Sequence, residues 1–207
     1  MHRNVKPKER RLSPRGAATK LRIVEAAAKL IYARSAERVS LDDVMEASRT
    51  SKSQLYHYFA DKDELVREVI EFQTGRILAA HGAHLAHLDS FEGLLAWRDM
   101  MVALNRAGGR AGGCPLGSLA NELATQSEQD RKLFDQSFEA WSALIETGLS
   151  RMRESGRIKH DADTKAIAIA VLAAIQGGLL LSKTTRNVEP LELAFDMALS
   201  HIERYAA

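Results

Sequence analysis

The chain of 207 residues has one cysteine, four prolines and an aromatic share of 6%. A single cysteine, Cys114, excludes an internal disulfide, so nothing asks for an oxidising compartment. Glycine and proline are sparse inside the periodic segments, and the strand-like alternation of Val, Ile, Thr and aromatics is missing. The longest apolar run, residues 166–181, is broken by Gln176, Gly177 and Gly178. It falls short of the roughly 20 residues that a bilayer-spanning helix needs. No apolar leader core follows Met1; the chain opens MHRNVKPKERR. What is present is ordinary for a globular protein: 45% hydrophobic and 27% charged residues. These features exclude a disordered chain and a disulfide scaffold. The expectation is a cytoplasmic protein with no membrane partner.

The net charge is only +2, but it is unevenly spread. Residues 1–22 hold eight Lys or Arg (Arg3, Lys6, Lys8, Arg10, Arg11, Arg15, Lys20, Arg22) against Glu9 alone, giving +7. Residues 23–76 carry −2, and the remainder −3. A basic arm on a near-neutral body suits a polyanion such as DNA, RNA or an anionic membrane surface. A solvated basic tail is the alternative.

Apolar residues recur at helical spacing nearly everywhere, which predicts an all-α fold of about nine helices without a sheet. The first helix starts between residues 13 and 17, with Ile23, Ala27, Leu30 and Ile31 on one face. Ser40, with Asp43 three residues on, caps a short second helix over residues 41–47. A third short helix follows over 51–58. Asp61 and Glu64 open a long fourth, to about His84. Asp89 and Glu92 repeat the signal for a helix to about Arg106. Pro115 suits the first turn of a helix to about Thr125. A long amphipathic helix covers 127–154, with Gly156 as its stop. Asp163 caps an apolar helix to about Lys183, and the last runs over 191–205.

Two short helices with a tight turn, between Leu41 and Phe59, have the size of a helix-turn-helix. In Ser51-Lys-Ser-Gln-Leu-Tyr-His-Tyr-Phe59, Leu55 and Phe59 face the core. Lys52, Ser53, Gln54, Tyr56, His57 and Tyr58 remain for the outside. They are hydrogen-bond donors or donor/acceptors, as base edges and phosphates in a major groove require. An ordinary polar surface helix is the alternative.

Thr19…Ile23-Val-Glu-Ala-Ala27, Val39-Ser-Leu-Asp-Asp-Val44 and Ser51-Lys-Ser-Gln-Leu-Tyr-His-Tyr-Phe-Ala-Asp-Lys-Asp-Glu-Leu65 together closely resemble the signature of the tetracycline-repressor (TetR) family. The Gly-Cys-Pro-Leu-Gly-Ser-Leu-Ala120 stretch is similar to a segment in some branches of that family. The resemblance implies an all-helical, dimeric DNA-binding regulator and no enzyme. It also implies a basic arm over 1–14, a helix-turn-helix domain over 15–62, and a ligand-binding and dimerisation domain over 63–207. By the same resemblance, Ser40, Tyr56, Tyr58 and Lys62 sit where phosphates are contacted. Lys52, Ser53, Gln54 and His57 sit where bases are read. The family usually has Ala-Gly-Val in the turn, where this chain has Ser48-Arg49-Thr50. Arg49 in a left-handed conformation costs about 1 kcal/mol more than glycine, which a phosphate contact would offset. Arg49, Thr50 and Ser51 therefore join the DNA-facing set.

In the C-terminal part, Trp97, Met100 and Met101 on one helix and Phe134, Phe138, Trp141 and Ile145 on another are expected to line an effector pocket with Cys114 and Leu119. A solid core is the alternative. The expected effector is a small apolar or amphipathic molecule, with no cofactor and no metal. His81, His84 and His87 lack a Cys, Asp or Glu at ligand spacing. Cys114 lies at a helix N-terminus, which lowers a thiol pKa and leaves a thiol sensor open. The helix over 164–183 is apolar all round and carries a stripe of small residues. With the last helix it is expected to form the homodimer interface through Ala170, Ala174, Gly177, Gly178, Phe195 and Leu199. The leading function is a ligand-released repressor acting on operator DNA. An activator of the same architecture, or an all-helical enzyme or carrier on the same scaffold, is the alternative.

Overall fold

The structure is a computed structural model that describes residues 12–108 and 113–207. The described residues form nine helices: α1 Pro14–Arg34, α2 Leu41–Ser48, α3 Lys52–Tyr58, α4 Lys62–Leu85, α5 Phe91–Gly108, α6 Pro115–Leu123, α7 Glu128–Glu154, α8 Thr164–Thr185 and α9 Glu189–Glu203. Among them the sole β-type pairing is an isolated bridge between Ile158 and Ala206. The all-α expectation is met. The basic segment ahead of Leu12 lies outside the described residues.

Local chemistry starts most of these helices. Ser13, Ser127 and Asp163 each accept the backbone N–H three residues on, at 3.2, 3.0 and 3.0 Å. Ser40 with Asp43 and Ser51 with Gln54 form complete capping boxes. Asp61 accepts from the Glu64 N–H at 2.8 Å while Glu64 accepts from that of Ala60 at 2.7 Å. For α5 the sequence suggested Asp89, but Ser90 serves instead, its Oγ 3.0 Å from the Gly93 N–H. Gly156, at φ +73°, supplies the left-handed residue just past α7.

The chain separates into two compact units that divide between Val69 and Ile70, inside α4. The first is closed by Ile23, Val24, Ala27 and Ile31 of α1 with Val39, Val44, Leu55, Phe59, Leu65 and Val69, all buried. Each large apolar side chain in that set contributes about 1.5–3 kcal/mol by leaving water.

The second unit packs α8 against both α7 and α9. By length and composition α8 is apolar enough to cross a membrane. Ile167, Val171, Leu172, Ile175 and Leu179 are nonetheless buried within the chain, as in the core helix of a folded domain. Three expectations for the dimer face are corrected here. A Cβ on Gly178 would lie 2.9 Å from the Ala194 Cβ and from the Leu191 Cα. Gly178 is therefore the point where α8 and α9 of one chain approach each other. Phe195 and Leu199 are likewise buried inside the chain and unavailable to a partner.

Candidate functional site

In the first unit, α3 turns two residues inward and leaves the rest to solvent. Leu55 and Phe59 are buried, whereas Lys52, Ser53, Gln54, Tyr56 and His57 are exposed and Tyr58 is half-buried. The outward surface carries no acid. Lys52 Nζ lies 5.9 Å from the centre of the Tyr56 ring, and the His57 and Tyr58 rings meet edge-on at 4.9 Å. Gln54 also plays a local part, since its Oε1 accepts the Ser51 N–H at 2.9 Å. The amide therefore caps its own helix while its residue lies on the exposed face.

The turn before α3 shows how the chain manages without the family's glycine. Arg49 adopts φ +52°, ψ +47°, a left-handed conformation that disfavours a side chain. Around it, Arg22 Nε donates to the Ser48 carbonyl at 2.9 Å, and the Ser48 and Thr50 hydroxyls lie 2.7 Å apart. Ser48 and Thr50 are 1% and 8% exposed, so this buried polar pair holds the turn from below. Thr50 is thus a correction: its hydroxyl is bonded inside the protein and does not face DNA. Arg22 belongs to the basic stretch over residues 1–22, and although it is exposed, its Nε braces this turn. Only a contact 26 positions away along the chain reveals it.

Other DNA-facing candidates are also tied down. The Ser40 hydroxyl donates to Asp43 Oδ2 at 2.5 Å and accepts the Asp43 N–H at 3.1 Å. These Ser40 hydrogen bonds, with Arg34 nearby, hold the Asp43 carboxyl below its usual range. Lys62 Nζ donates to the Glu37 carbonyl at 3.2 Å, linking the start of α4 to the segment between α1 and α2. Lys20 pairs with Glu68 at 2.7 Å and lies over the Phe59 ring. Of the described basic residues before Ile23, Arg15 and Arg22 are exposed and Lys20 is half-buried.

In the second unit, Trp97, Met101, Cys114, Leu119, Phe134, Trp141 and Ile145 are buried, with Met100 and Phe138 half-buried. Cys114 caps α6, its Sγ 3.3 Å from the Gly117 N–H. Burial pushes its thiol up, outweighing the opposing hydrogen bonds from Gly117, Gln176 and Leu116. The helix-terminus effect that would favour a thiolate loses to desolvation. His81 is buried. Its ring lies among aromatics, 5.1 Å from Trp141 and 6.4 Å from Trp97. Burial is the main reason its pKa falls to about 4, with His84 adding a smaller push. Among the described residues no three or more His, Cys, Asp or Glu side chains group as metal ligands do.

Two family profiles match the chain. One, described as bacterial regulatory proteins of the tetR family, covers residues 23–69. The other, the C-terminal domain of LmrA/YxaF-like transcriptional regulators, covers residues 91–197. The chain belongs to the tetR family. An uncharacterised HTH-type transcriptional regulator from the lacX 3′ region of Lactococcus lactis subsp. lactis is 30% identical, over 90% of this chain and 94% of that one. The HTH-type transcriptional regulator LmrA of Bacillus subtilis is 27% identical, over 82% and 89%. In fold, a TetR-family regulator from Cytophaga hutchinsonii superimposes with a TM-score of 0.79 at 19% identity, over 96% of this chain and 99% of that one. This tetR-family protein is accordingly a DNA-binding transcriptional regulator, and the family consists of regulators, not enzymes.

Proposed function

We propose that this regulator is a homodimeric repressor, released from operator DNA by a small apolar or amphipathic effector. The observation that carries the reading is the α3 surface. Lys52, Ser53, Gln54, Tyr56 and His57 stand exposed and without an acid among them, on a helix capped and braced against movement. Lys52 and Gln54 suit guanine O6/N7 and adenine N6/N7, with Ser53 and His57 beside them. Tyr56, Tyr58, Arg49, Ser40, Ser51 and Lys62 serve phosphates and register.

A second copy of this chain is the occupant we assign to the outer face of α8 and α9. Ile169, Leu180 and Leu181 on α8 and Leu193 and Met197 on α9 are all more than half exposed. Ala166, Ala170, Ala173 and Gly177 lie exposed at helical spacing between them, and Ala174 is half-buried. Small residues flanked by large exposed apolar ones admit a close helix-to-helix approach. A two-fold dimer also matches a palindromic operator read by two α3 helices. The cytoplasm is the compartment that such a regulator requires.

The domain assignment is a DNA-binding part over 15–62 and an effector and dimer part over 63–207. The helix α4 carries residues of both compact units, so effector contacts on its later turns act on the helix that begins at Lys62. The test is a titration of the full chain against DNA from upstream of its own gene. Two protomers per site, with affinity falling as salt rises, are expected. Absence of specific binding at every salt concentration, together with turnover of a small molecule, would favour an enzyme on this scaffold.

A further inference from the structure

Three buried ring nitrogens of the second unit have no hydrogen-bond partner among the described residues: Nδ1 of His81, Nε1 of Trp97 and Nε1 of Trp141. Their residues are 5%, 0% and 2% exposed. They come from α4, α5 and α7, yet their rings gather in one place. The His81 ring meets Trp141 and Trp97 edge-on, and Trp97 meets Phe195 edge-on at 5.2 Å. A buried donor left unpaired destabilises the fold. A core that merely filled space would be served by Phe and Leu at these positions, with nothing left to satisfy. Concentrating three such groups in one aromatic cluster is a feature of a binding site more than of a packing layer.

The chemistry of the cluster selects its ligand. Indole N–H groups donate and do not accept, so the partner must bring acceptor atoms. Burial keeps the His81 imidazole uncharged near neutral pH, so none of the three rings brings a positive charge to meet an anion. A carboxylate would lose its hydration with no counter-charge among them, which is costly. Met101, Leu119 and Phe134 add apolar buried surface to the same unit. Building on the effector-released reading above, we propose that His81, Trp97 and Trp141 recognise the effector, an uncharged and largely apolar molecule with carbonyl-type hydrogen-bond acceptors. His81 places one of these contacts on α4, the helix that begins at Lys62.

The two tryptophans are the only ones in the chain, so a nitrogen-edited NMR spectrum of the full protein shows two indole N–H signals. Three bicyclic probes separate the chemistries: coumarin has a lactone carbonyl, naphthalene has no acceptor, and 2-naphthoate carries a charge. Coumarin is expected to move both indole protons downfield, and naphthalene is not. Trp97→Phe and Trp141→Phe should each weaken coumarin binding by about three- to tenfold in calorimetry and leave naphthalene unchanged. Indole signals unmoved by coumarin at its solubility limit would overturn the proposal. So would variants that weaken both neutral probes equally, or tighter binding of 2-naphthoate than of coumarin. The unmutated protein supplies the NMR arm, so a variant that fails to fold cannot obscure the answer. The same samples are titrated with upstream DNA in the absence of probe. DNA binding with silent indoles rejects this site and spares the regulator; responsive indoles without DNA binding do the reverse.

Discussion

The two compact units treat buried polar groups in opposite ways. Among the described residues before Ile70, no buried side-chain nitrogen or oxygen lacks a partner. Even the awkward turn at Arg49 is braced, by Arg22 on the Ser48 carbonyl and by the Ser48–Thr50 hydroxyl pair. After Ile70, three ring nitrogens within one cluster are buried and unpaired among the described residues. A reading head gains from being fully satisfied, because a fixed helix presents its side chains to base edges in one geometry. A sensing domain gains from the reverse, since groups left unpaired in the free chain give a ligand something to bind differentially.

The strongest way to break the comparison is to leave both units intact and remove the second copy. Ile169→Glu and Met197→Glu place charges on residues more than half exposed, so neither should disturb the folded chain. Each is expected to give monomers by sedimentation, with operator affinity down by about 10²- to 10⁴-fold because one half-site no longer assists the other. A Met197→Glu protein that stays dimeric and binds normally would move the interface elsewhere. Gly178→Arg is the informative control: it should unfold the second unit, because that position already faces α9 of its own chain.

Acid sharpens the comparison next. Unfolded His81 takes up a proton near its ordinary value of 6.5, whereas in the folded chain it does so only near 4. The neutral form is the one that the fold favours. Its contribution is therefore complete above pH 6.5 and is lost as pH falls from 6.5 through 4. Two and a half pH units amount to roughly 3 kcal/mol. His81→Phe should flatten the acid limb of the stability profile of the second unit between those values. Identical acid limbs in the two proteins would show that His81 is already charged or already paired.

A smaller effect tests the satisfied side. Ser48→Ala leaves the Thr50 hydroxyl without its partner and is expected to cost about 2 kcal/mol. Thr50→Val should cost less, because the Ser48 hydroxyl keeps the Met45 carbonyl, at 3.4 Å, as an acceptor. The double variant should cost less than the two combined, because no hydroxyl is then left unpaired. Strict additivity in urea unfolding would mean that the pair is a coincidence of geometry. Arg22→Leu, by contrast, removes the donor to the Ser48 carbonyl and should lower operator affinity without changing the dimer.

How much of this was legible depended on distance along the chain. Ser40, Ser51, Asp61, Ser127, Asp163 and Gly156 could be read as helix ends because a cap is a contact over three or four residues. The α3 surface was legible for the same reason, since helical spacing alone divides Leu55 and Phe59 from their outward neighbours. What spacing marks is a face, not the neighbour that covers it. The apolar girth of α8 was plain, but which side met α9 was not, so Gly178, Phe195 and Leu199 were assigned to the partner. His81 stands three residues before His84 in the sequence. Its real surroundings, Trp97 and Trp141, arrive from other helices. The Arg22 contact to the Ser48 carbonyl spans 26 positions, which composition does not encode, and the burial of Thr50 comes from packing that its place in the turn does not show.

The smallest effect is the most specific, and it concerns Gln54. Its Oε1 caps α3 through the Ser51 N–H, so truncation to alanine removes a cap as well as any base contact. Gln54→Ala would then weaken every operator variant and hide a change of preference. Gln54→Glu separates the two roles. A glutamate at that position still accepts the Ser51 N–H and completes the capping box, so helicity and the unfolding midpoint should hold. What it loses is the amide donor that pairs with adenine N7, leaving acceptors that suit cytosine N4. Affinity for the parent operator should fall by about 1 kcal/mol beyond any general loss from the added charge. A half-site changed at one base pair towards cytosine should recover that difference. An operator ranking identical to that of the parent protein would assign Gln54 to the cap alone and leave base reading to Lys52, Ser53 and His57.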